Sequence, residues 1–102
     1  MTLQVQLQND PNATVVTLDG EMDTHTAPRV TEALEGVFAA PVPMIVIDAA
    51  ELRFLDSSGI SELLRLRQRA LDAGGSLRLR AASPAVRRVI EITGLVDVLG
   101  LE

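Results

Sequence analysis

The sequence contains no cysteine, no tryptophan and no tyrosine, and all 9 of its basic residues are arginine. The missing cysteines exclude disulfide staples and thiolate metal sites, and they fit a reducing compartment. The single histidine and the scattered carboxylates lack metal-ligand spacing, so no metal is expected. Two phenylalanines make up the whole aromatic content, which leaves core packing to Leu, Val, Ile and Ala. A net charge of −5 with so few stacking side chains speaks against nucleic-acid binding, which calls for a basic face. No apolar run approaches the roughly 18 residues of a membrane span. Met1-Thr2-Leu3-Gln4 also lacks the basic start and apolar core of a signal peptide. The expectation is a cytoplasmic protein acting at no membrane. A glycine-rich phosphate cradle is missing too, because Gly74-Gly75 reads as a turn with no Lys-Ser/Thr after it. No cofactor is therefore expected.

What is present is enough for one core. At 102 residues the chain is long enough for a single domain, residues 1–102, and too short for two. Hydrophobic residues at 47% against 23% charged place it among globular proteins.

Leu3-Gln4-Val5-Gln6-Leu7-Gln8 alternates apolar and polar residues and predicts a half-exposed strand. Asn9-Asp10-Pro11-Asn12 is a turn cluster, so a second strand over residues 14–18 folds back antiparallel on the first. Residues 19–23 read as an acidic loop, and Thr24 or Thr26 can cap the helix that follows, with Pro28 in its first turn. Val30, Leu34, Val37 and Phe38 give that helix its buried stripe. Met44-Ile45-Val46-Ile47 is continuously apolar, as a central strand covered on both faces would be, and Asp48 closes it. Residues 49–55 are expected to be a loop with Leu52, Phe54 and Leu55 tucked inward.

Asp56 and Ser57 are good N-cap residues, and from Ile60 onward Leu63, Leu64, Leu66, Ala70 and Leu71 gather on one side of a long helix. Ala73-Gly74-Gly75 ends it, and Ser76-Leu77-Arg78-Leu79-Arg80 alternates as a strand nearer an edge. Ser83-Pro84 is an N-cap followed by proline at the first helical position, and Gly94 stops that helix. Residues 95–101 are expected to form a short closing strand.

The order is that of an α/β domain with a mixed sheet of four or five strands: the first pair antiparallel, the later strands parallel through right-handed helical crossovers. In such sheets function collects beyond the carboxyl ends of the strands. Two loops qualify, residues 19–26 and 48–59, and both carry acids and hydroxyls.

Phe54-Leu55-Asp56-Ser57-Ser58-Gly59-Ile60, preceded by Ile45-Val46-Ile47-Asp48, resembles the phosphorylation segment of bacterial anti-sigma factor antagonists, members of the STAS domain family. Leu18-Asp19-Gly20-Glu21-Met22-Asp23 and Ser83-Pro84-Ala85-Val86-Arg87-Arg88, leading to Thr93-Gly94-Leu95, match in order, so the resemblance spans nearly the whole chain. It implies a STAS-like fold and a partner switch. The unphosphorylated domain would bind an anti-sigma factor that is itself a serine kinase of the GHKL ATPase type, and so free a sigma factor. Phosphorylation would end the binding, and a PP2C-type phosphatase would restore it. The resemblance puts the acceptor at Ser58 and the partner-binding residues at Asp23, Thr24, His25, Asp56, Ser57, Gly59, Ile60 and Glu62.

Simpler readings of the same residues stand beside this one. Ser57 and Ser58 could only cap a helix, Asp23 could cap another, and Arg65 and Arg69 among Glu62 and Asp72 look like a solvated face. A small hydrolase built on Ser58, His25 and an acid is disfavoured, because Asp56 stands where a nucleophile elbow needs its first glycine. A STAS domain serving a lipid-transport ATPase complex or a stressosome-type scaffold shares the fold and is the principal alternative. No enzymatic activity is expected on the switch reading.

Overall fold

The computed structural model describes residues 2–101, so the outermost residues of the domain expected over 1–102 lie outside it. The elements run β1 (Leu3–Asn9), β2 (Thr14–Met22), α1 (Ala27–Phe38), β3 (Met44–Leu55), α2 (Ser57–Asp72), β4 (Ser76–Arg80) and α3 (Pro84–Ile92). They form one sheet of four strands in the order β1-β2-β3-β4. β1 pairs antiparallel with β2, while β2–β3 and β3–β4 are parallel. This is the mixed α/β sheet that the sequence pattern predicts.

Alternation in the strands settles which face is buried. Val16, Leu18 and Met22 of β2, Ile45 and Ile47 of β3, and Leu77 and Leu79 of β4 join one core with Val30 and Leu34 of α1 and Leu63 and Leu66 of α2. Each such Leu or Ile contributes about 1.5–3 kcal/mol relative to exposure. Right-handed crossovers from β2 to β3 and from β3 to β4 step the same way along the sheet, so α1 and α2 share its face. Side chains tie the two helices together: Thr31 Oγ1 donates to Glu62 at 2.6 Å, and the Arg69 guanidinium reaches Glu35 at 3.0 Å while lying 4.2 Å above the Phe38 ring. The opposite face carries Gln4, Gln6 and Gln8 of β1 with Arg78 and Arg80 of β4, all exposed. Val46, which points to that face, is nonetheless buried, in keeping with its continuous apolar run.

Three expectations are overturned. Residues 49–55 are not a loop but the second half of β3, and residues 19–22 are not a loop but the end of β2. The two halves pair in a shifted register, Asp19 with Glu51, Gly20 with Leu52, Glu21 with Phe54 and Met22 with Leu55, with irregularities between Thr17 and Asp19 and between Gly20 and Glu21. Such bulges break strict alternation, so the segment does not read as a strand. The bulged register also turns Phe54 outward to 40% exposure, whereas Leu52 and Leu55 are buried as expected.

The third concerns residues 95–101, which form turns rather than a fifth strand. Leu99 N bonds Leu95 O and Leu101 N bonds Val96 O, which is local closure and not a ladder. One bond, from Leu79 N to Leu99 O, lays this segment along the outer edge of β4, and Leu99 and Leu101 are buried there. The apolar content of the segment is used to cover an edge that would otherwise invite pairing.

Candidate functional site

The last pair of the β2–β3 ladder is Met22 with Leu55, and the next residues on the two strands are Asp23 and Asp56. The exits of the two segments singled out from the sequence are therefore aligned to the residue. Asp56 N donates to Met22 O at 3.4 Å, which closes the pair.

On the first strand's exit, Asp23 is only 8% exposed, so its charge needs internal compensation. Asp23 Oδ1 accepts from Thr26 N at 3.0 Å and from His25 N at 2.9 Å. Thr26 Oγ1 donates to Glu21 O at 2.6 Å, accepts from Asp23 N at 2.9 Å and lies 3.2 Å from Asp23 Oδ1. The Thr26 amide, foremost among these contacts, holds the Asp23 carboxyl below the usual carboxylate range against the opposing effect of burial. Asp23 thus builds the turn that leads into α1. Asp23 is therefore not the helix cap of the simpler reading: its partners are the amides of the turn that precedes α1. The cap position of α1 falls at Thr26, whose side chain makes no cap bond because it is spent inside the turn.

On the second strand's exit, Asp56 is the N-cap of α2, with Oδ1 accepting from Gly59 N at 3.0 Å. Ser57 and Ser58 then occupy the first turn, where amides lack intrahelical partners and the helix dipole favours an anion. Ser58 is part-buried, and its Oγ lies 2.9 Å from Thr24 Oγ1 across the two loops. Gly59 is where the helix seats on the sheet. A Cβ there would stand 2.5 Å from Leu55 Cδ1 and 2.9 Å from Met22 O, so no larger residue fits without a shift.

Of the residues expected to bind a partner, Thr24, His25 and Ser57 are exposed at this end, with Asp56 part-buried among them. Gly59 and Ile60 are buried, the latter at 7% exposure, so they seat the helix and do not line its surface. Glu62 faces α1, accepting from Thr31 Oγ1 at 2.6 Å and from the Arg65 guanidinium. Burial pushes its pKa upward, but the bonds from Thr31 and Arg65 outweigh it and leave the group below the ordinary value. Sequence reading missed the Thr24–Ser58 bond and the organising part of Thr26. No local sequence signal marks them, because the bulged register of β2 on β3 sets which residues after the two strands meet.

One hollow on the described surface is lined by Asp10, Pro11, Val42, Pro43 and Met44 at the opposite pole and shares no residue with this site. Among the described residues no cluster of His, Asp and Glu could hold a metal ion, and no helix is long and apolar enough to cross a membrane.

Fold and site together define a small α/β domain that offers hydroxyls at a helix mouth, beside a charged turn and without an enclosing cavity. The chain belongs to the STAS domain family, whose profile matches residues 4–102. It is 28% identical over 100 residues to the anti-sigma F factor antagonist of Paenibacillus polymyxa, a match covering 97% of this chain and 86% of that one. An anti-sigma factor antagonist from Mycobacterium paratuberculosis is similar in structure at a TM-score of 0.85 and 31% identity, covering 98% of this chain and 85% of that one. The anti-sigma factor antagonist SpoIIAA in its unphosphorylated form is similar at a TM-score of 0.78 and 28% identity, covering 92% and 84%.

Proposed function

We propose that this protein is an anti-sigma factor antagonist that works as a partner switch, with residues 1–102 as its single domain. Unphosphorylated, it binds an anti-sigma factor and releases a sigma factor. The partner is a serine kinase of the GHKL ATPase type, the acceptor is Ser58, and a PP2C-type phosphatase resets the switch in the cytoplasm. The binding surface is centred on Thr24, His25, Asp56 and Ser57, with Asp23, Gly59, Ile60 and Glu62 shaping it from beneath and beside. The chain regulates and does not catalyse.

The observation that carries this reading is a part-buried hydroxyl on the first turn of α2, reached from the neighbouring loop and, among the described residues, unburdened by any bond to the backbone. In the modification, Ser58 Oγ attacks the γ-phosphorus of ATP, the bond from that phosphorus to its bridging oxygen breaks, ADP leaves, and the serine proton passes to a base of the kinase. The product adds about −1.5 to −2 charges, which the helix dipole welcomes by about 0.3–1 kcal/mol, so the fold persists. A partner packed over the same spot meets a dianion beside Asp23 and Asp56. Like charges across an interface cost several kcal/mol, and about 3 kcal/mol weakens a complex roughly a hundredfold. The names of the relatives, which antagonise anti-sigma factors, support the same reading.

The test is capture of the partner from source cells, incubation with ATP and peptide mass spectrometry. One phosphate is expected, on Ser58, with loss of the complex. Ser58→Ala should bind and resist modification, and Ser58→Asp should bind about a hundredfold more weakly. A phosphate on another residue, or tight binding by Ser58→Asp, would overturn the proposal.

A further inference from the structure

We propose that Thr24 is a positioning residue for Ser58: its hydroxyl pins the acceptor oxygen before modification and donates a hydrogen bond to the phosphate afterwards. This rests on the reading of Ser58 as the phosphoacceptor and adds a device that governs how completely the switch turns off.

The two hydroxyl oxygens are 2.9 Å apart, and either can be the donor. They come from different elements, Thr24 from the turn after β2 and Ser58 from the first turn of α2, so the contact is not a by-product of local backbone geometry. Among the described residues this is the only hydrogen bond that the Thr24 side chain makes. The turn does not need that side chain, because Asp23 and Thr26 already close it through their bonds to each other, to His25 N and to Glu21 O. Thr24 therefore has a stiff β-branched side chain on a braced turn, with a hydroxyl free to serve Ser58 alone. A serine hydroxyl otherwise samples three staggered positions, and a fixed partner selects one of them.

Esterification changes what each oxygen can do. Ser58 Oγ loses its hydrogen, and the dianionic phosphate brings only acceptors, so toward the dianion Thr24 acts as a donor. A hydrogen bond to a dianion is charge-assisted and stronger than one to the monoanion, so it favours the second ionisation. That ionisation falls near pH 6 in phosphoserine, close enough to neutrality for its surroundings to matter. The titratable groups around the site are Asp23 and His25 on the turn after β2, Asp56 at the cap and Glu62 farther along α2. The carboxylates push the phosphate's second pKa upward, while the α2 dipole and the Thr24 hydroxyl pull it down. Thr24 thus favours the dianionic off state where the surrounding carboxylates would blunt it.

The experiment places phosphoserine at position 58 during translation, which needs no kinase, and follows the phosphate by phosphorus NMR across pH 4 to 9. In Thr24→Val the midpoint should move upward by roughly half a pH unit relative to the parent, equivalent to a lost charge-assisted bond partly replaced by water. Thr24→Ser should restore it. An unchanged midpoint in Thr24→Val, or a shift that Thr24→Ser fails to reverse, overturns the inference. Thr24 is exposed, so the variants should fold, and Thr24→Ala gives the same reading should valine disturb the turn. Failure of a kinase to modify Ser58 would instead strike the proposed function and leave this midpoint untouched.

Discussion

Two helices in this domain begin beside a serine, and they use it in opposite ways. Ser83 caps α3: its Oγ accepts from Val86 N at 3.4 Å and donates to Leu52 O at 2.6 Å, while Ser83 N donates to Ala49 O at 3.2 Å. One capacity of that hydroxyl caps α3 and the other ties its start to the second half of β3. At α2 the capping task falls to Asp56, so Ser58 is released from it and, among the described residues, its side chain meets another hydroxyl alone. A serine becomes available for chemistry when a neighbour takes over its structural work. Composition at a helix start does not separate the two cases, and the hydrogen-bond inventory does.

The comparison can be pressed hardest at Gly59. Alanine there would gain up to about 1 kcal/mol of helix propensity. Its Cβ, however, would meet Leu55 Cδ1 at 2.5 Å and the backbone oxygen of Met22 at 2.9 Å. Overpacking of that kind costs about 1–3 kcal/mol, and the Met22 carbonyl is held in place by the Asp56 amide, so the clash wins. We expect Gly59→Ala to lower stability by about 1–2 kcal/mol in denaturant titration and to weaken partner binding by moving the α2 mouth. If it proves more stable than the parent, the close seat of α2 on β2 is wrong.

Ser83→Ala sharpens the contrast from the other side. Losing a cap costs about 1 kcal/mol, and the orphaned Leu52 carbonyl adds a fraction of that, so about 1–1.5 kcal/mol of stability should go. Partner affinity should stay within about twofold, because α3 starts against β3 and not at the α2 mouth. A Ser83→Ala protein of unchanged stability that no longer bound its partner would reverse the roles given to the two serines.

The start of α2 was legible in the sequence because capping is local: Asp56, the hydroxyls and the amphipathic run from Ile60 fall within a few residues. The strand directions were legible because the turn cluster and the helical crossovers leave few choices. The length of β3 was not, since Glu51 and Arg53 look like loop residues and the bulges hide the alternation. Residues 95–101 misled for a related reason: an apolar segment that covers an edge has the composition of a strand without its ladder. The Thr24–Ser58 contact depends on a register that only the bulged ladder fixes, so no count of residue types could reveal it.

The smallest expected effect separates the two helix mouths by pH. Asp23 is held ionised chiefly by the Thr26 amide, and its folded pKa lies below the ordinary 3.8. A depressed carboxylate adds stability that is fully present above the unfolded pKa and is lost as pH falls through the folded one. Thermal unfolding of the parent and Asp23→Asn should therefore differ most at neutral pH. The gap should begin to narrow as pH drops past 3.8 and level off below the lowered folded value. Ser83 accepts from an amide and donates to a carbonyl, neither of which titrates, so the gap between the parent and Ser83→Ala should stay flat over the same range. An Asp23→Asn gap as flat as that of Ser83→Ala would mean that the turn beside Ser58 carries no working charge. The electrostatic part of the switch would then rest on Asp56 and the phosphate alone.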